Sequence, residues 1–561
     1  MQAHAEFLLR LTQGLRPYLL LVVLGLGLYL PGLTAIPPLD RDEARFAQAS
    51  RQMLESGDLV SVRFQSEIRA KKPVGIYWMQ AAAARLSGEP GAIWPYRVPS
   101  VLGALAAILL TFHFGQSLAG RPGALVGAAL LASCFLLVSE AHQAKTDAVL
   151  LACVVAAQGA MGRFYMAGQL PFAGRGPIDG PIPGPPPGWR TAAIFWVAQG
   201  IGFLIKGPII ALISALTILA LWAADRRISW VRALRPLAGL ALFAVIVGPW
   251  AYAVSHATGG QFFGQAIKTD LLPKLLGGQE GHGSAPGTHL ALLTGMFWPA
   301  SLFVVPAVWH AFKRRQSPAL RFCLAWVGPA WIVFELIPTK LPHYVLPLYP
   351  ALALLTGAIL AHGHYFVHHQ WIRIFARGWG MAGFVLAMLI ILAPVRLATS
   401  YPWWVVPLAE LPLATGILPA MAVWRGQQGW ALMIAIGGAV LTFAGVFQLV
   451  LPSLDRMWVS QHIADKLPAG TPIAAAGYHE PSLVFLMGTK TLLTDGIGAA
   501  QFLATTENGV AVVEDAKAEP DFRAGLAENH TVARIVGRID GIDYTHARPI
   551  KLTLWRREPT P

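Results

Sequence analysis

From Arg16 to about Val450, apolar runs alternate with short polar connections. A helix needs about 20 mostly apolar residues to cross a bilayer. On that ruler the sequence predicts thirteen spans, at 16–36, 93–118, 122–139, 145–168, 191–205, 207–223, 236–255, 289–311, 320–338, 343–362, 376–396, 403–424 and 429–450. The two around Lys206 are read either as separate spans or as one broken helix. From about Leu454 the pattern changes to the short β-rich runs P-I-A-A-A-G-Y, G-V-A-V-V-E, T-V-A-R-I-V-G-R and I-K-L-T-L-W-R, with a helix-compatible P-S-L-V-F-L-M-G among them. The expected fold is an all-α polytopic membrane domain over 1–450, with juxtamembrane helices in its first loop (39–92). A small soluble α/β domain over 454–561 is expected to follow.

Composition agrees with that pattern. The 561 residues are 55% hydrophobic and 13% charged, with a mean hydropathy of +0.53, whereas soluble domains carry roughly 25% charge. The net charge of +14 belongs with membrane lipids and not with nucleic acid, because no Lys/Arg-rich tail or nucleic-acid motif is present. Arginines and lysines recur in alternate connections, among them Arg226, Arg227, Arg232 and Arg235 before one span and Lys313, Arg314, Arg315 and Arg321 before another. The positive-inside rule makes these connections cytoplasmic. The intervening connections and the C-terminal domain then lie on the outer face. The H-G-H-Y-F-V-H-H run at 362–369 falls on the cytoplasmic side and is read as a solvated loop. Cys134, Cys153 and Cys323 each lie in an apolar stretch, with no C-x-x-C, and form neither a disulfide framework nor a zinc site.

Candidate chemistry gathers on the outer face. The stretch 39–78 carries most of the charge of the chain's first half, and charge beside a bilayer is costly without water or partners. After Pro38, Asp40 and Glu43 have capping-box spacing and are read as starting a helix. Asp42 falls in that helix's first turn, where the macrodipole favours an acid, so it is a candidate catalytic group or a structural one. Lys71 and Lys72 precede Pro73, Tyr77 and Trp78, a placement that suits phosphate binding and equally suits snorkelling at the headgroup level. Asp147, beside Lys145, and Lys206 interrupt apolar sequence, as residues lining a polar cavity do. Lys340, His343 and Tyr344 cap the tenth span. The 256–288 loop adds Lys268, Asp270, Lys274, Glu280 and His282. Glu280 and His282 are the metal-ligand candidates, although two ligands two residues apart do not define a site.

In order, the pieces D-E-A-R-F-A…M-L-E-S-G-D, K-K-P-V-G-I-Y-W, T-D at 146–147, K-G at 206–207 and K-L-P-H-Y-V-L-P-L-Y-P resemble the bacterial aminoarabinose transferases. They also resemble the wider group related to dolichyl-phosphate-mannose protein mannosyltransferases. The resemblance spans about residues 1–450 and implies a GT-C-type inverting glycosyltransferase. Its donor would be a polyprenyl (undecaprenyl) phosphate sugar, and its acceptor an envelope lipid such as lipid A, a glycan or a protein. Asp42 matches the family's first-loop acid and Asp147 its second acid, the two catalytic candidates. Lys72 and Tyr344 match groups that grip the donor phosphate, and Lys71, Lys206 and Lys340 are further cations for it. Glu43, Lys268, Asp270, Glu280, His282 and His343 are candidate substrate or acceptor contacts. No cofactor is required, and a divalent metal is left open. The sequence departs from the family at Lys71, where a glutamate is usual, and at Ala266 and Thr269, where a histidine and an arginine are usual. A transporter or lipid flippase for a related lipid-linked substrate is the alternative class. That class would show internal repeats and ionisable residues at mid-span, and neither is evident here.

Overall fold

The computed structural model describes residues 12–169, 187–273, 283–361 and 370–558. Among them, eight helices are long and apolar enough to cross a membrane, and Arg16–Tyr29 and Ile209–Asp225 are shorter apolar helices. The molecule is a multi-pass membrane protein. Several sequence-predicted spans change shape for identifiable reasons. The runs 93–118 and 122–139 are two helical segments within Trp94–Ala132, separated at Gly120, whose backbone leaves the helix (φ 67°, ψ 171°) just before Pro122, and a short helix Phe135–Ala141 follows. The run 289–311 is divided into Thr288–Met296 and Ser301–Lys313. The tenth span opens with a tight turn, Pro342–Leu348, because Pro342 and Pro347 both lack the N–H that a regular helix needs. The runs flanking Lys206 are two helices, Trp189–Lys206 and Ile209–Asp225, separated at Gly207 (φ 72°).

Two glycines allow the close approaches that assemble the polar region. A side chain at Gly103 would lie 2.7 Å from the Val149 amide nitrogen, so only glycine lets Trp94–Ala132 pack directly on the start of Asp147–Gln169. At Gly75 a side chain would lie 2.8 Å from the Leu204 carbonyl oxygen, which brings the segment carrying Lys72 against the end of the helix carrying Lys206.

The first loop contains the helix Asp42–Ser56, the two-stranded hairpin β1 (Arg63–Phe64) and β2 (Glu67–Ile68), and the helix Gly75–Ser87. Phe46 and Tyr77 stack with their ring centres 5.3 Å apart, and Ser50 Oγ donates to Gln80 Oε1 at 2.7 Å, joining the two helices. The expected capping box does not form. The Asp42–Ser56 helix begins after Arg41 without a side-chain cap. Glu43 instead turns inward and accepts from Arg97 Nε (2.8 Å) and Nη2 (2.9 Å), with both side chains fully buried. The same carboxylate also accepts from the backbone N–H groups of Leu39 and Ala144. A buried carboxylate with this many donors is a structural bolt, because removing either member of such a pair strands a charge in apolar surroundings.

The C-terminal segment forms a five-stranded mixed sheet in the order β4-β3-β5-β7-β6. Its strands are β3 (Ile473–Ala476), β4 (Leu492–Thr494), β5 (Val510–Glu514), β6 (Ala533–Asp543) and β7 (Arg548–Arg557). Strand β3 is parallel to β4 and β5, and β7 is antiparallel to β5 and β6. The central β3 and β5 are buried along their whole length, which is why they read as continuous apolar runs and not as alternating ones. This sheet domain seats on the first loop. Gln48 Nε2 donates to Thr489 Oγ1 (2.7 Å), Arg51 to the Phe485 carbonyl (2.7 Å) and Gln65 Nε2 to the Thr491 carbonyl (2.6 Å), while Thr489 Oγ1 donates to Glu55 (2.6 Å).

Candidate active site

Three helix ends and the tight turn at Pro342 bring ionisable side chains together. Asp147 heads the helix Asp147–Gln169, and its carboxylate accepts from the ammonium of Lys206, the last residue of Trp189–Lys206. Glu140, near the end of Phe135–Ala141, accepts from Lys145 Nζ at 3.1 Å. His343 lies between the two acids, with Nδ1 3.7 Å from Glu140 Oε1 and Nε2 3.9 Å from Asp147 Oδ1. Lys206 also lies over the Tyr344 ring, 5.8 Å from its centre, and the His343 and Tyr344 rings meet edge-on at 5.2 Å. Glu140, Lys145, Asp147 and Lys206 are all buried.

Asp42 approaches this cluster from the first loop and is itself exposed. Its protein surroundings work against ionisation, but the positive charges of Lys145, Arg69 and Lys72 outweigh them and hold its carboxyl below the ordinary range. Asp42 is therefore an ionised carboxylate at the open side of a cation-rich cluster. Arg69 is held there by donating to Tyr77 Oη (3.2 Å) and by stacking over Phe46, 5.0 Å from the ring centre.

The residue before Asp42 is conformationally costly. Arg41 has φ 65° and ψ −107°, a region that costs a non-glycine residue roughly 1–3 kcal/mol unless its surroundings enforce it.

Of the residues singled out in the sequence, Asp42, Lys72, Asp147, Lys206, His343 and Tyr344 converge here. Lys71 is half-buried beside Lys72, whose ammonium donates to the Lys71 carbonyl at 2.9 Å. Lys340 is buried elsewhere and caps the helix Pro318–Leu336, donating to the Glu335 carbonyl at 2.8 Å and to that of Ile337. Glu43 belongs to the Arg97 bolt. Lys268 is exposed. Asp270 lies in the single wide turn Ala266–Leu271, and its side chain is outside the described residues, as are Lys274, Glu280 and His282.

Glu140 and Arg69 were not singled out from sequence. The signal for Glu140 was an acid five residues before a lysine in otherwise apolar surroundings, and Arg69 was in plain view within S-E-I-R-A-K-K. Glu140, Asp147 and His343 offer three ligand atoms within 4.8 Å of one another, enough for a metal ion. Lys145 and Lys206 already bring positive charge to the same two carboxylates. Glu140 Oε2 is buried with no hydrogen-bond partner among the described residues, a place for a proton or a cation.

The sequence profile of the family described as dolichyl-phosphate-mannose-protein mannosyltransferase matches residues 71–173, the segment running from Lys71 through Glu140 and Asp147. The chain is 28% identical over 469 residues to the undecaprenyl phosphate-alpha-4-amino-4-deoxy-L-arabinose arabinosyl transferase of Pseudomonas paraeruginosa, covering 82% of this chain and 78% of that one. It is 25% identical over 544 residues to the enzyme of the same name from Aeromonas salmonicida, covering 91% and 88%. The chain is a membrane glycosyltransferase, similar in sequence to the aminoarabinose transferases. Its fold agrees: the crystal structure of ArnT from Cupriavidus metallidurans bound to undecaprenyl phosphate superimposes with a TM-score of 0.71 at 20% identity, over 95% of this chain and 97% of that one. For this glycosyltransferase, the convergence of Asp42 with the Asp147–Lys206 pair is the geometry from which a mechanism has to be built.

Proposed function

We propose that the protein transfers a sugar from an undecaprenyl-phosphate donor to an envelope acceptor at the periplasmic face of the inner membrane, with inversion at the anomeric carbon. The relatives' names specify 4-amino-4-deoxy-L-arabinose as the sugar, and lipid A is the matching acceptor. The single observation that carries the reading is an accessible, ionised Asp42 facing Lys72, Arg69 and Lys145.

In this reading the cations receive the donor phosphate. As the anomeric C–O bond breaks, the electron pair stays on the phosphate oxygen, and fixed positive charge stabilises the developing negative charge. Lys72 and Tyr344 grip the phosphate, with Lys71 beside them. The acceptor oxygen attacks the anomeric carbon from the opposite side. If that oxygen is a hydroxyl, Asp42 takes its proton; if it is an acceptor phosphate, Asp42 only orients the incoming group. The depressed acidity range of Asp42 favours the orienting role. Asp147 holds Lys206 and His343 in place, and it is a catalytic acid only in the sense of shaping this charge.

The thirteen-span count, the division at 450–454 and the periplasmic placement of the sheet domain all belong to this reading. A purified-enzyme assay with undecaprenyl-phosphate aminoarabinose and lipid A tests it by mass spectrometry. Wild type should add the sugar mass to the acceptor, and Asp42→Asn should not. Transfer at a near-normal rate by Asp42→Asn would overturn the catalytic assignment.

A further inference from the structure

The C-terminal sheet domain reaches the backbone immediately before Asp42. The tip between β6 and β7 places Tyr544 Oη 2.6 Å from the Asp40 N–H, which donates to it. The Arg41 guanidinium donates to the Thr545 carbonyl on the same tip. From the other side, the Ser482 N–H donates to Asp40 Oδ1 at 3.1 Å. The tip is itself pinned, since Thr545 Oγ1 donates to Glu480 Oε1 (2.6 Å) and lies 2.8 Å from Asp543 Oδ1. Arg548 bridges Asp543 and Glu514 at the base of the hairpin. These contacts bracket Arg41, the residue held at positive φ. A non-glycine residue stays in that conformation only where its neighbours over-determine it.

Helix formation alone does not explain Arg41. The Asp42–Ser56 helix has no side-chain cap of its own, and the other contacts of the sheet domain with this helix, at Gln48, Arg51 and Glu55, lie one to four turns further along. The Tyr544–Thr545 contacts fall on the two residues immediately before Asp42, where a small backbone rotation redirects it.

We infer that Tyr544 and Arg41 are positioning residues, through which the C-terminal domain clamps the strained backbone at Arg41 and so aims the Asp42 carboxylate into the active site. The inference rests on the proposed role of Asp42. The sheet domain is then a working part of the transferase site and not a passive appendage.

The test is a double-mutant cycle on purified full-length protein, read as turnover and donor KM. Tyr544→Phe should lower kcat about tenfold, because small misplacements of a reacting group are costly in rate, and should leave donor KM within about twofold. Glycine adopts positive φ without strain. In an Arg41→Gly background, therefore, adding Tyr544→Phe should change kcat by less than about twofold, a non-additivity expected only of coupled residues. Thr489→Val removes contacts at the far end of the same interface and should leave kcat near wild type. If Tyr544→Phe lowers the melting temperature, the comparison of its effect in the two backgrounds still decides. The proposal is overturned if Tyr544→Phe leaves kcat unchanged, if it acts equally in both backgrounds, or if Thr489→Val is as damaging. Failure of wild type itself to transfer would instead count against the function reading.

Discussion

Two groups of carboxylates sit two residues apart at the start of one helix, and they are in opposite electrostatic states. Around Asp42, the acids Asp42, Glu140 and Asp147 face the cations Arg69, Lys72, Lys145 and Lys206, so positive charge is in excess. Around Asp40, the acids Asp40, Glu480, Asp543 and Glu514 meet Arg41 and Arg548, with His546 at the edge, so negative charge is in excess. The first group keeps its exposed acid ionised. In the second, burial and then the neighbouring Glu480 push the Asp40 carboxyl up to about 7. The contrast separates a place prepared to receive an anion from a joint that holds its own proton.

The largest effect should come from removing the ionised acid on the cation-rich side. Asp42→Asn should lower kcat by about 10²-fold or more, because a misplacement of about 1 Å of a reacting group already costs that much, with insertion and melting temperature unchanged. A fall of less than tenfold would place the essential acid elsewhere.

Next is the buried Asp147–Lys206 pair. Lys206→Met should destabilise the protein by about 3–5 kcal/mol, because it strands the Asp147 charge. Asp147→Asn together with Lys206→Met should recover much of that loss in thermal melting. Equal destabilisation by the single and double variants would mean that the pair matters for packing and not for charge.

Lys72→Ala should raise donor KM about tenfold, equivalent to roughly 1.4 kcal/mol, and leave acceptor KM alone. Parallel losses for both substrates would remove Lys72 from the donor site.

On the acid-rich side the expected effects are smaller. Asp40 faces Glu480, Ser482 and Tyr544, with Tyr478 and Asp543 near them. Its carboxyl holds a proton in the fold that it loses in the unfolded chain. Its contribution is therefore fully present below the ordinary aspartate value of 3.8 and is lost as pH rises through about 7. Asp40→Asn should flatten the pH dependence of the melting temperature across that window. An unchanged slope would assign the dependence to another group. The smallest effect is expected at the exposed pair of Arg523 and Glu519 on one helix face: Glu519→Ala should cost less than about 0.5 kcal/mol by denaturant unfolding.

Much of the fold is legible in the sequence, because lipid requires long apolar runs and a soluble sheet requires short ones. Where the structure departs, the cause is local. Pro342 and Pro347 tighten the start of the tenth span, whereas the break at Gly120 and Pro122 falls where the sequence divides two spans. The site is legible as far as charge in apolar surroundings can be noticed, which covers Asp147, Lys206 and the K-L-P-H-Y turn. Glu43 misleads, because capping-box spacing says nothing of the Arg97 guanidinium waiting 54 positions away. Glu140 and Arg69 stand in plain view in the sequence but are not singled out by it, since their significance lies in partners brought near by packing. The hold of Tyr544 on Asp40 spans 504 positions and has no sequence signal at all.

The central claim is that the cations hold the lipid phosphate while Asp42 acts on the incoming group. The most direct measurement is the affinity of undecaprenyl phosphate for purified wild type and for Asp42→Asn, side by side. Removing a negative charge from a phosphate site should leave binding equal or tighter, even though transfer is lost. A tenfold weaker affinity in Asp42→Asn would contradict the account and make Asp42 part of the donor's own binding site.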